Sequence, residues 1–308
     1  AKSSVLLTGM TGPFGIWTVR YLYWLLELNS TMFEIVVCTR NISAARELFR
    51  DLKGLEYLEL DISSKKVLRK FDYIIHGAAP SAQETYSGME SIDKFFSQQR
   101  SAENIIETCK LYNPKKFLFI SSGAIYGQTL APPAEDNQNA PHTFVPITGM
   151  AQGKRAAEYI ISEFMERKGI DFCILRCFSF SGFGIPLNLH YAIGNFVDNA
   201  SKGSDIRIKG SGRDIRSYMH LGDLAAVLTV SLFSNMKELV YNVGGIEPIS
   251  MIDLANLVIR IINPKLKVII ENNDLRVGNQ SVPLYYPDVT RLTDELNFKY
   301  KDLQFSVR

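Results

Sequence analysis

This sequence of 308 residues has neither a large excess of one sign of charge nor a long apolar run. The 34 lysines and arginines nearly balance the 32 acidic residues, so the formal charge is +2 and no basic field indicates nucleic acid as a partner. No run of about 20 apolar residues is present that could span a bilayer, so we expect no membrane partner. The first residues carry no basic-then-apolar leader, and we therefore expect a cytoplasmic protein.

Cysteine is scarce. The four cysteines, Cys38, Cys109, Cys173 and Cys177, lie mostly in apolar runs and not in the close pairs that bind metals. We expect buried, reduced thiols and no metal site. The chain also lacks internal repeats and low-complexity segments, and a hydrophobic share of 46% is enough for a sizeable core.

Short β-branched runs alternate with helical patterns. The predicted strands are 5–7, 34–39, 57–60, 73–76, 116–121 and 172–176, and the predicted helices are 16–28, 43–52, 91–111, 149–168, 192–202, 221–233 and 250–262. This alternation predicts an α/β fold, a Rossmann-type doubly wound parallel sheet over residues 1–181. Residues 182–308 are predicted to form mainly a smaller C-terminal substrate-binding lobe, interleaved with the end of the sheet.

The first strand runs into a glycine-rich turn, and an apolar-faced helix follows. Gly9 permits the tight turn, Gly12 lets the backbone approach phosphates, and Gly15 lets the helix pack close to the strand. The N-terminus of the helix adds free N–H groups and the positive end of its dipole. The motif predicts a dinucleotide pyrophosphate site that also includes Thr11 and Phe14.

The ends of the next three strands extend this site. Arg40 follows the second strand, where an NAD site usually carries an acidic residue, so NADP is favoured over NAD; a solvated surface arginine is the alternative. Asp61, beside Ile62, either accepts from an adenine amino group or caps a helix. The small residues Ala78 and Ala79 would let a cofactor lie flat on the backbone. The histidine before them, at position 76, is interpreted as structural.

Sequence motifs continue along nearly the whole chain. They are segments 8–15, 61–62, 76–79, 121–127, 213–225, 241–245, 287–291 and 296–298. Together they resemble the extended short-chain dehydrogenase/reductases, and specifically the nucleotide-sugar epimerase/dehydratase family. The resemblance implies hydride chemistry at C4 of a sugar carried by a nucleoside diphosphate, with surface-glycan precursors as the usual context. It also implies a homodimer formed through the helices at 91–111 and 149–168.

In that family a serine or threonine and a tyrosine bind the C4 oxygen, and a lysine four residues after the tyrosine holds the nicotinamide ribose. Ser122 falls on the serine position and Lys154 on the lysine position, but the tyrosine position is Met150. A thioether cannot exchange a proton, so the usual general base is missing.

Three accounts of Met150 stay open. In the first, another group supplies the proton path. In the second, the site binds its ligands without catalysing a reaction. In the third, Met150 is a substitution introduced into the protein. Lys154 is the best-placed substitute base because burial would lower its pKa, although it equally fits a ribose-binding role alone.

The dehydratases of the family carry an Asp-Glu pair where this chain has Gly123 and Ala124. We therefore predict a 4-epimerase or 4-keto reductase. The alternatives are a 4,6-dehydratase with an atypical base and a non-catalytic relative that binds NADP(H) or a nucleotide sugar.

Further positions match residues that bind substrate in the family. Arg216 and Arg276 match arginines that bind the diphosphate and the nucleotide, and surface or structural roles are the alternative. Gln98 and Ser179 stand where the family has asparagines. Asn195 would contact the diphosphate or cap a helix.

Three aromatic sites have weaker signals. Tyr126 matches a family tyrosine that packs and shapes the sugar pocket. His142 is interpreted as a solvent-exposed loop residue, with proton delivery to the sugar as the alternative. Tyr285 and Tyr286 are interpreted as packing for the small lobe, with stacking on a nucleobase as the alternative.

Overall fold

The computed structural model describes residues 3–29, 33–189, 191–271 and 282–307. Within those residues the strands are, in chain order, β1 (Ser3–Thr8), β2 (Phe33–Thr39), β3 (Glu56–Glu59), β4 (Tyr73–His76), β5 (Lys116–Ser122), β6 (Asp171–Cys177), β7 (Phe180–Ser181), β8 (Ile206–Ile208), β9 (Ile215–Arg216), β10 (Met219–His220), β11 (Val240–Val243), β12 (Ile249–Ser250), β13 (Val268–Ile270) and β14 (Leu284–Tyr285).

Seven of these strands form a central sheet in the order β11-β6-β5-β4-β1-β2-β3. Every pairing within it is parallel. The predicted doubly wound parallel sheet is therefore confirmed. Because β11 comes from the C-terminal half, the chain returns to the sheet late, while the predicted division at residues 181 and 182 stays a prediction.

The helices, in chain order, are α1 (Pro13–Asn29), α2 (Ile42–Leu48), α3 (Ala82–Tyr86), α4 (Ser91–Tyr112), α5 (Gly149–Lys168), α6 (Ala192–Ser201), α7 (Leu221–Phe233), α8 (Met251–Ile262), α9 (Thr290–Leu296) and α10 (Leu303–Val307). Pro13 begins α1, where its missing N–H costs nothing. Gly169 ends α5 with φ at +65°, so the predicted break there is confirmed.

One predicted helix end is wrong. The pattern predicts a helix over 43–52, but α2 ends at Leu48. Phe49 is fully buried and its N–H bonds to the carbonyl of Ala45, while the N–H of Leu52 bonds back to Phe49. The chain therefore turns to bury an aromatic ring instead of adding a helical turn.

Alternate side chains of the inner strands enter two separate cores, one on each face of the sheet. On β1, Val5 and Leu7 belong to the core that also contains residues of α1 and α7. Leu6, between them, belongs to the opposite core with residues of α4 and α5. A strand buried on both faces needs a continuous apolar run, as the sequence of β1 has. The four cysteines are free and buried in these cores.

The smaller sheets come from the second half of the chain. β9 lies between β12 and β14, and its residue Arg216 pairs with Ile249 on one side and Tyr285 on the other. β8 pairs with β13, and β10 pairs with β7 just beyond the end of β6. None of the helices in the described ranges is both long and apolar enough to cross a membrane.

Candidate functional site

A cleft of about 480 Å³ opens at the carboxyl ends of the central strands. Its walls come from the segments that follow β1, β2, β3 and β4, and from α4. The predicted cofactor residues that line it are Gly9, Thr11, Gly12, Phe14, Arg40, Asp61, Ile62, Ala78 and Ala79. Parallel sheets of this kind bind ligands at this edge because the loops after the strands diverge there.

The glycine-rich turn is tightly packed on two sides. Gly9 has φ at +73°, and a Cβ there would lie 2.5 Å from the backbone of Ala78. A Cβ on Gly15 would lie 1.9 Å from the carbonyl oxygen of Met10, so only glycine lets α1 approach the turn this closely. A Cβ on Gly12 would meet nothing within 4 Å. The turn is thus packed against protein at Gly9 and Gly15 and open to the cleft at Gly12. The open space at Gly12 would let a phosphate approach the backbone.

Arg40 lies at the cleft with its guanidinium already engaged. Its Nη1 and Nη2 donate to the two carboxylate oxygens of Glu84, at 2.7 and 3.1 Å. This hydrogen bonding holds the pKa of Glu84 at about 2. Asp61 is also close enough for its charge to raise the pKa of Arg40, though Glu84 contributes most.

Asp61 does not cap a helix, because residues 62–64 after it form a turn, so that interpretation is wrong. Its Oδ1 accepts from the backbone N–H and the hydroxyl of Ser63, at 2.9 and 2.7 Å. Because Asp61 also lines the cleft, a contact with adenine stays a prediction.

The histidine that ends β4 is buried beneath the cleft. His76 Nδ1 lies 2.8 Å from the Thr8 hydroxyl, and its Nε2 lies 3.4 Å from the hydroxyl of Ser101. Burial lowers the pKa of His76 to about 3, so the ring stays neutral. This placement agrees with the structural interpretation.

Lys154 lies under the end of β5. Its Nζ donates to the carbonyl oxygen of Ile120 at 2.7 Å and lies 4.6 Å from the centre of the Phe119 ring. The side chain is buried, and burial lowers the pKa of the ammonium to about 8. Ile120 itself lines the cleft, so the lysine contacts the backbone that forms the cleft floor.

Met150 lies one turn before Lys154 on α5 and is half-buried. Its Sδ accepts a hydrogen bond from Nε2 of Gln98 on α4, at 3.7 Å. Gln98 is buried, and Gly153 leaves room for it because a Cβ there would lie 3.1 Å from the Cβ of Gln98. Two of the positions at which this chain departs from the family pattern it resembles are therefore in contact with each other.

Ser122 ends β5, and its hydroxyl accepts from the N–H of Ala124 at 3.2 Å. It pairs in register with Cys177 on β6, whose thiol pKa burial raises to about 12. The next residue, Gly123, packs against an aromatic ring, since a Cβ there would lie 2.5 Å from the ring of Phe178.

Tyr285 brings a phenol to this place from the second half of the chain. Burial raises its pKa, while hydrogen bonding with Ser122 and the charge of Arg216 oppose that rise. The Tyr285 ring lies 5.2 Å from that of Phe178, and the guanidinium carbon of Arg216 lies 5.6 Å from its centre. Serine, tyrosine and arginine thus meet at the end of β5.

Tyr126 lies deeper. Its hydroxyl donates to Oδ1 of Asn242 at 2.8 Å and accepts from Nη1 of Arg176 at 2.7 Å. Arg176 also pairs with Glu158 on α5 at 2.8 Å. The ring is 1% exposed, so its hydroxyl is engaged within the protein, as the packing interpretation expects.

The remaining predicted substrate residues are more scattered. Ser179 lies between β6 and β7, where its carbonyl accepts from the N–H of Met219. The side-chain amide of Asn195 donates to the carbonyl of Leu189, at 2.9 Å. Arg276 lies outside the described residues. His142 is exposed in its loop, where its Nδ1 accepts from the N–H of Phe144, and this agrees with the interpretation as a solvent-exposed loop residue.

Sequence reasoning did not anticipate that Glu84 lines the cleft or that Tyr285 approaches Ser122. Glu84 follows Ser81 in the S-x-x-E spacing of a capping box, which the structure contains, and that spacing was the available signal. Tyr285 gave no local signal, because its role depends on the pairing of β14 with β9.

Known proteins resemble this chain in sequence and in fold. A sequence model described as the NAD-dependent epimerase/dehydratase family matches residues 5–244. The chain is 25% identical over 199 residues to a dTDP-D-glucose 4,6-dehydratase of Dictyostelium discoideum, an alignment that covers 62% of this chain and 45% of that protein. It is 23% identical over 306 residues to UDP-glucuronic acid decarboxylase 3 of Arabidopsis thaliana, covering 96% of this chain and 84% of the relative.

The fold has close structural counterparts. A UDP-N-acetylglucosamine 4-epimerase from Methanobrevibacter ruminantium, solved in complex with UDP-N-acetylmuramic acid, superposes with a TM-score of 0.82. The identity is 21%, and the match covers all of this chain and 96% of the epimerase. The chain spans about half the length of two curated relatives, 45% of the dehydratase and 53% of UDP-glucuronic acid decarboxylase 1 of Arabidopsis thaliana.

Proposed function

The chain belongs to the NAD-dependent epimerase/dehydratase family, and on that basis we propose that it catalyses NAD(P)-dependent oxidoreduction at C4 of a nucleotide-diphosphate sugar. The observation that carries the proposal is the bond from Lys154 to the carbonyl oxygen of Ile120, a residue that lines the cleft. A dinucleotide, when bound, supplies hydride transfer there. The turn that Gly9, Gly12 and Gly15 build would hold its pyrophosphate, with the backbone open at Gly12.

Lys154 would hold the ribose, and its side chain would change protonation state near neutral pH. Its lowered pKa of about 8 leaves a useful fraction of neutral amine at that pH. In that form Nζ can accept a proton from a sugar or ribose hydroxyl. Lys154 is accordingly our first choice for the base that Met150 cannot provide.

Ser122 would bind the C4 oxygen, and Tyr285 would donate a proton to it. The raised pKa of Tyr285 keeps its phenol protonated at neutral pH, so it suits protonation of a developing oxyanion better than removal of a proton. This favours a 4-keto reductase or the reductive half of a 4-epimerase.

The packing of Phe178 argues against a standard 4,6-dehydratase. Its ring fills the space that any side chain at position 123 would need, and position 124 is alanine. The acid and base for removing water are absent from these two positions. A dehydratase would need atypical groups elsewhere.

Arg216 would bind the diphosphate, for which a guanidinium is well suited. It faces Tyr285 across neighbouring strands, and it is half-buried. Roles for Arg276, Asn195 and Ser179 stay predictions.

A second candidate function is binding without turnover. The contact between Gln98 and Met150 favours it, because the sulfur already has an amide partner and offers no proton. Such a protein would sense a nucleotide sugar or the dinucleotide.

Self-association through α4 and α5 also belongs to the proposal. Both helices pack against each other and still expose large apolar side chains, including Ile92 and Phe96 on α4 and Tyr159 on α5. A homodimer would cover these faces.

Proton NMR of the purified protein with NAD or NADP and a panel of UDP-, dTDP-, GDP- and CDP-hexoses tests the activity. A new C4 epimer or a 4-keto signal is expected, and 4-keto sugars with the reduced dinucleotide test the opposite direction. Unchanged spectra in both directions, with saturable binding of the dinucleotide, would favour the binding protein.

A further inference from the structure

A carboxylate lies beside Arg40, although the strand that precedes Arg40 carries none at its end. Glu84 is contributed by α3, which follows β4, and it lines the cleft together with Arg40 and Asp61. In dinucleotide-binding folds of this type, the end of the second strand meets the 2′ position of the adenosine ribose. An acidic residue there accepts from a ribose hydroxyl, and an arginine there accommodates a 2′-phosphate.

Hydrogen bonds orient Glu84 in this position, although the Arg40–Glu84 pair is exposed to solvent. Glu84 accepts from both terminal nitrogens of Arg40, at 2.7 and 3.1 Å, and from the N–H of Ser81 at 2.7 Å. The N–H of Glu84 in turn bonds to the Ser81 hydroxyl at 3.1 Å, which completes the capping box. A two-pronged pair with a backbone anchor has a defined geometry that a single surface contact lacks.

Charge around the ribose end of the cleft is therefore already balanced. Arg40 faces Glu84 and Asp61, and the other arginine that lines the cleft, Arg100, comes from α4. A 2′-phosphate would have to displace Glu84 from Arg40 and then lie beside two carboxylates. A 2′-hydroxyl would instead find an acceptor in Glu84, with its carboxylate already oriented.

We propose that Glu84 sets the cofactor choice of this chain and that the chain prefers NAD over NADP. The proposal rests on the dinucleotide site proposed above. Arg40 considered by itself predicts NADP. Its pairing with Glu84 places a carboxylate near the end of the second strand, where that strand itself carries none, and a carboxylate there favours the 2′-hydroxyl of NAD.

Titration of the purified chain with NAD and with NADP, by calorimetry at fixed salt, tests this choice without any sugar substrate. Wild type should bind NAD about tenfold more tightly than NADP or better. In Glu84→Gln the ratio should move at least about tenfold toward NADP, because the amide keeps the capping box but loses the charge. Arg40→Ala in the Glu84→Gln background should remove most of that gain.

Glu47→Gln is the matched control. It breaks another exposed arginine–glutamate pair, which Glu47 of α2 forms with Arg50 just after that helix, and Glu47 does not line the cleft. Its binding ratio should equal that of wild type. Thermal unfolding of each variant establishes that it is folded. If Glu84→Gln does not fold, Arg40→Ala alone replaces it, and that variant should bind NADP more weakly while its affinity for NAD stays within a few-fold of wild type.

The outcomes separate the two proposals. Wild-type preference for NADP, or an unchanged ratio in Glu84→Gln, overturns the role of Glu84 and leaves the dinucleotide site intact. Binding of neither dinucleotide overturns the proposed site and the role of Glu84 with it.

Discussion

The amide of Gln98 donates to the sulfur of Met150 across the interface of α4 and α5, with 3.7 Å between Nε2 and Sδ. A tyrosine at position 150 would place a phenol one helical turn from Lys154, on the same face of α5. The contact therefore involves the position at which the family resemblance predicts a tyrosine.

Met150→Tyr is expected to raise the rate of C4 oxidation if the site lacks only its base. A phenol beside the Lys154 ammonium would have a lowered pKa and could accept the hydroxyl proton, and general-base catalysis contributes about 100-fold or more. The rate of dinucleotide reduction with an active hexose measures it. Met150→Phe, which adds the ring without the hydroxyl, is the control. Equal rates for the two variants would indicate a mechanism that has been rebuilt around another group.

Lys154→Ala is expected to abolish turnover. If Lys154 is the base, the wild-type rate should also rise with pH through about 8, since the neutral amine is the active form. Initial rates between pH 6 and pH 10 measure this, with the exposed Lys168→Ala on the same helix as control. Turnover of Lys154→Ala within a few-fold of wild type would remove Lys154 from the mechanism.

Tyr285→Phe is expected to lower kcat by about 100-fold, the scale of a lost proton donor, with little change in the affinity for the nucleotide. The raised pKa of the phenol predicts that the loss is largest in the reductive direction, where a proton must be donated. Steady-state kinetics in both directions provide the measurement. Tyr286→Phe is the neighbouring control, and an equal small effect of both variants would assign Tyr285 to packing.

Acid is expected to destabilise the fold through His76. Its pKa is about 3 in the folded chain and about 6.5 when unfolded, so between these values only the unfolded state binds the proton. Above pH 6.5 the group makes no difference, and below it stability falls by about 1.4 kcal/mol per pH unit from this residue. Urea unfolding at pH 7.5, 6.5 and 5.5 measures the slope. His76→Gln should have a shallower slope, and an identical slope would contradict the assignment.

Phe96→Asp and Tyr159→Asp are expected to yield monomers. Each places a carboxylate on an exposed apolar face of α4 or α5, where burial against a second copy would be costly. Light scattering coupled to gel filtration gives the mass. Trp24→Asp, on the exposed side of α1, is the control and should leave the mass unchanged. A monomeric wild type would refute the homodimer.

Much of the fold follows from local pattern. The apolar run of β1, the glycine-rich turn and the helix after it are specified by residues within a few positions of one another, and the structure has each of them in place. The breaks at helix ends were visible for the same reason, as at Gly169. Where burial competed with propensity, as at Phe49, the predicted end was wrong.

The sequence by itself determined the parallel sheet, the glycine-rich turn and the absence of a tyrosine at position 150, because each depends on residue type and short spacing. Tertiary structure alone decided that Arg40 is paired with Glu84, 44 positions away, and that Gln98 contacts Met150, 52 positions away. It also decided that Tyr285 lies beside Arg216, through the pairing of β14 with β9. Charge pairing and burial act through space, and no local pattern encodes which distant segments the fold brings together.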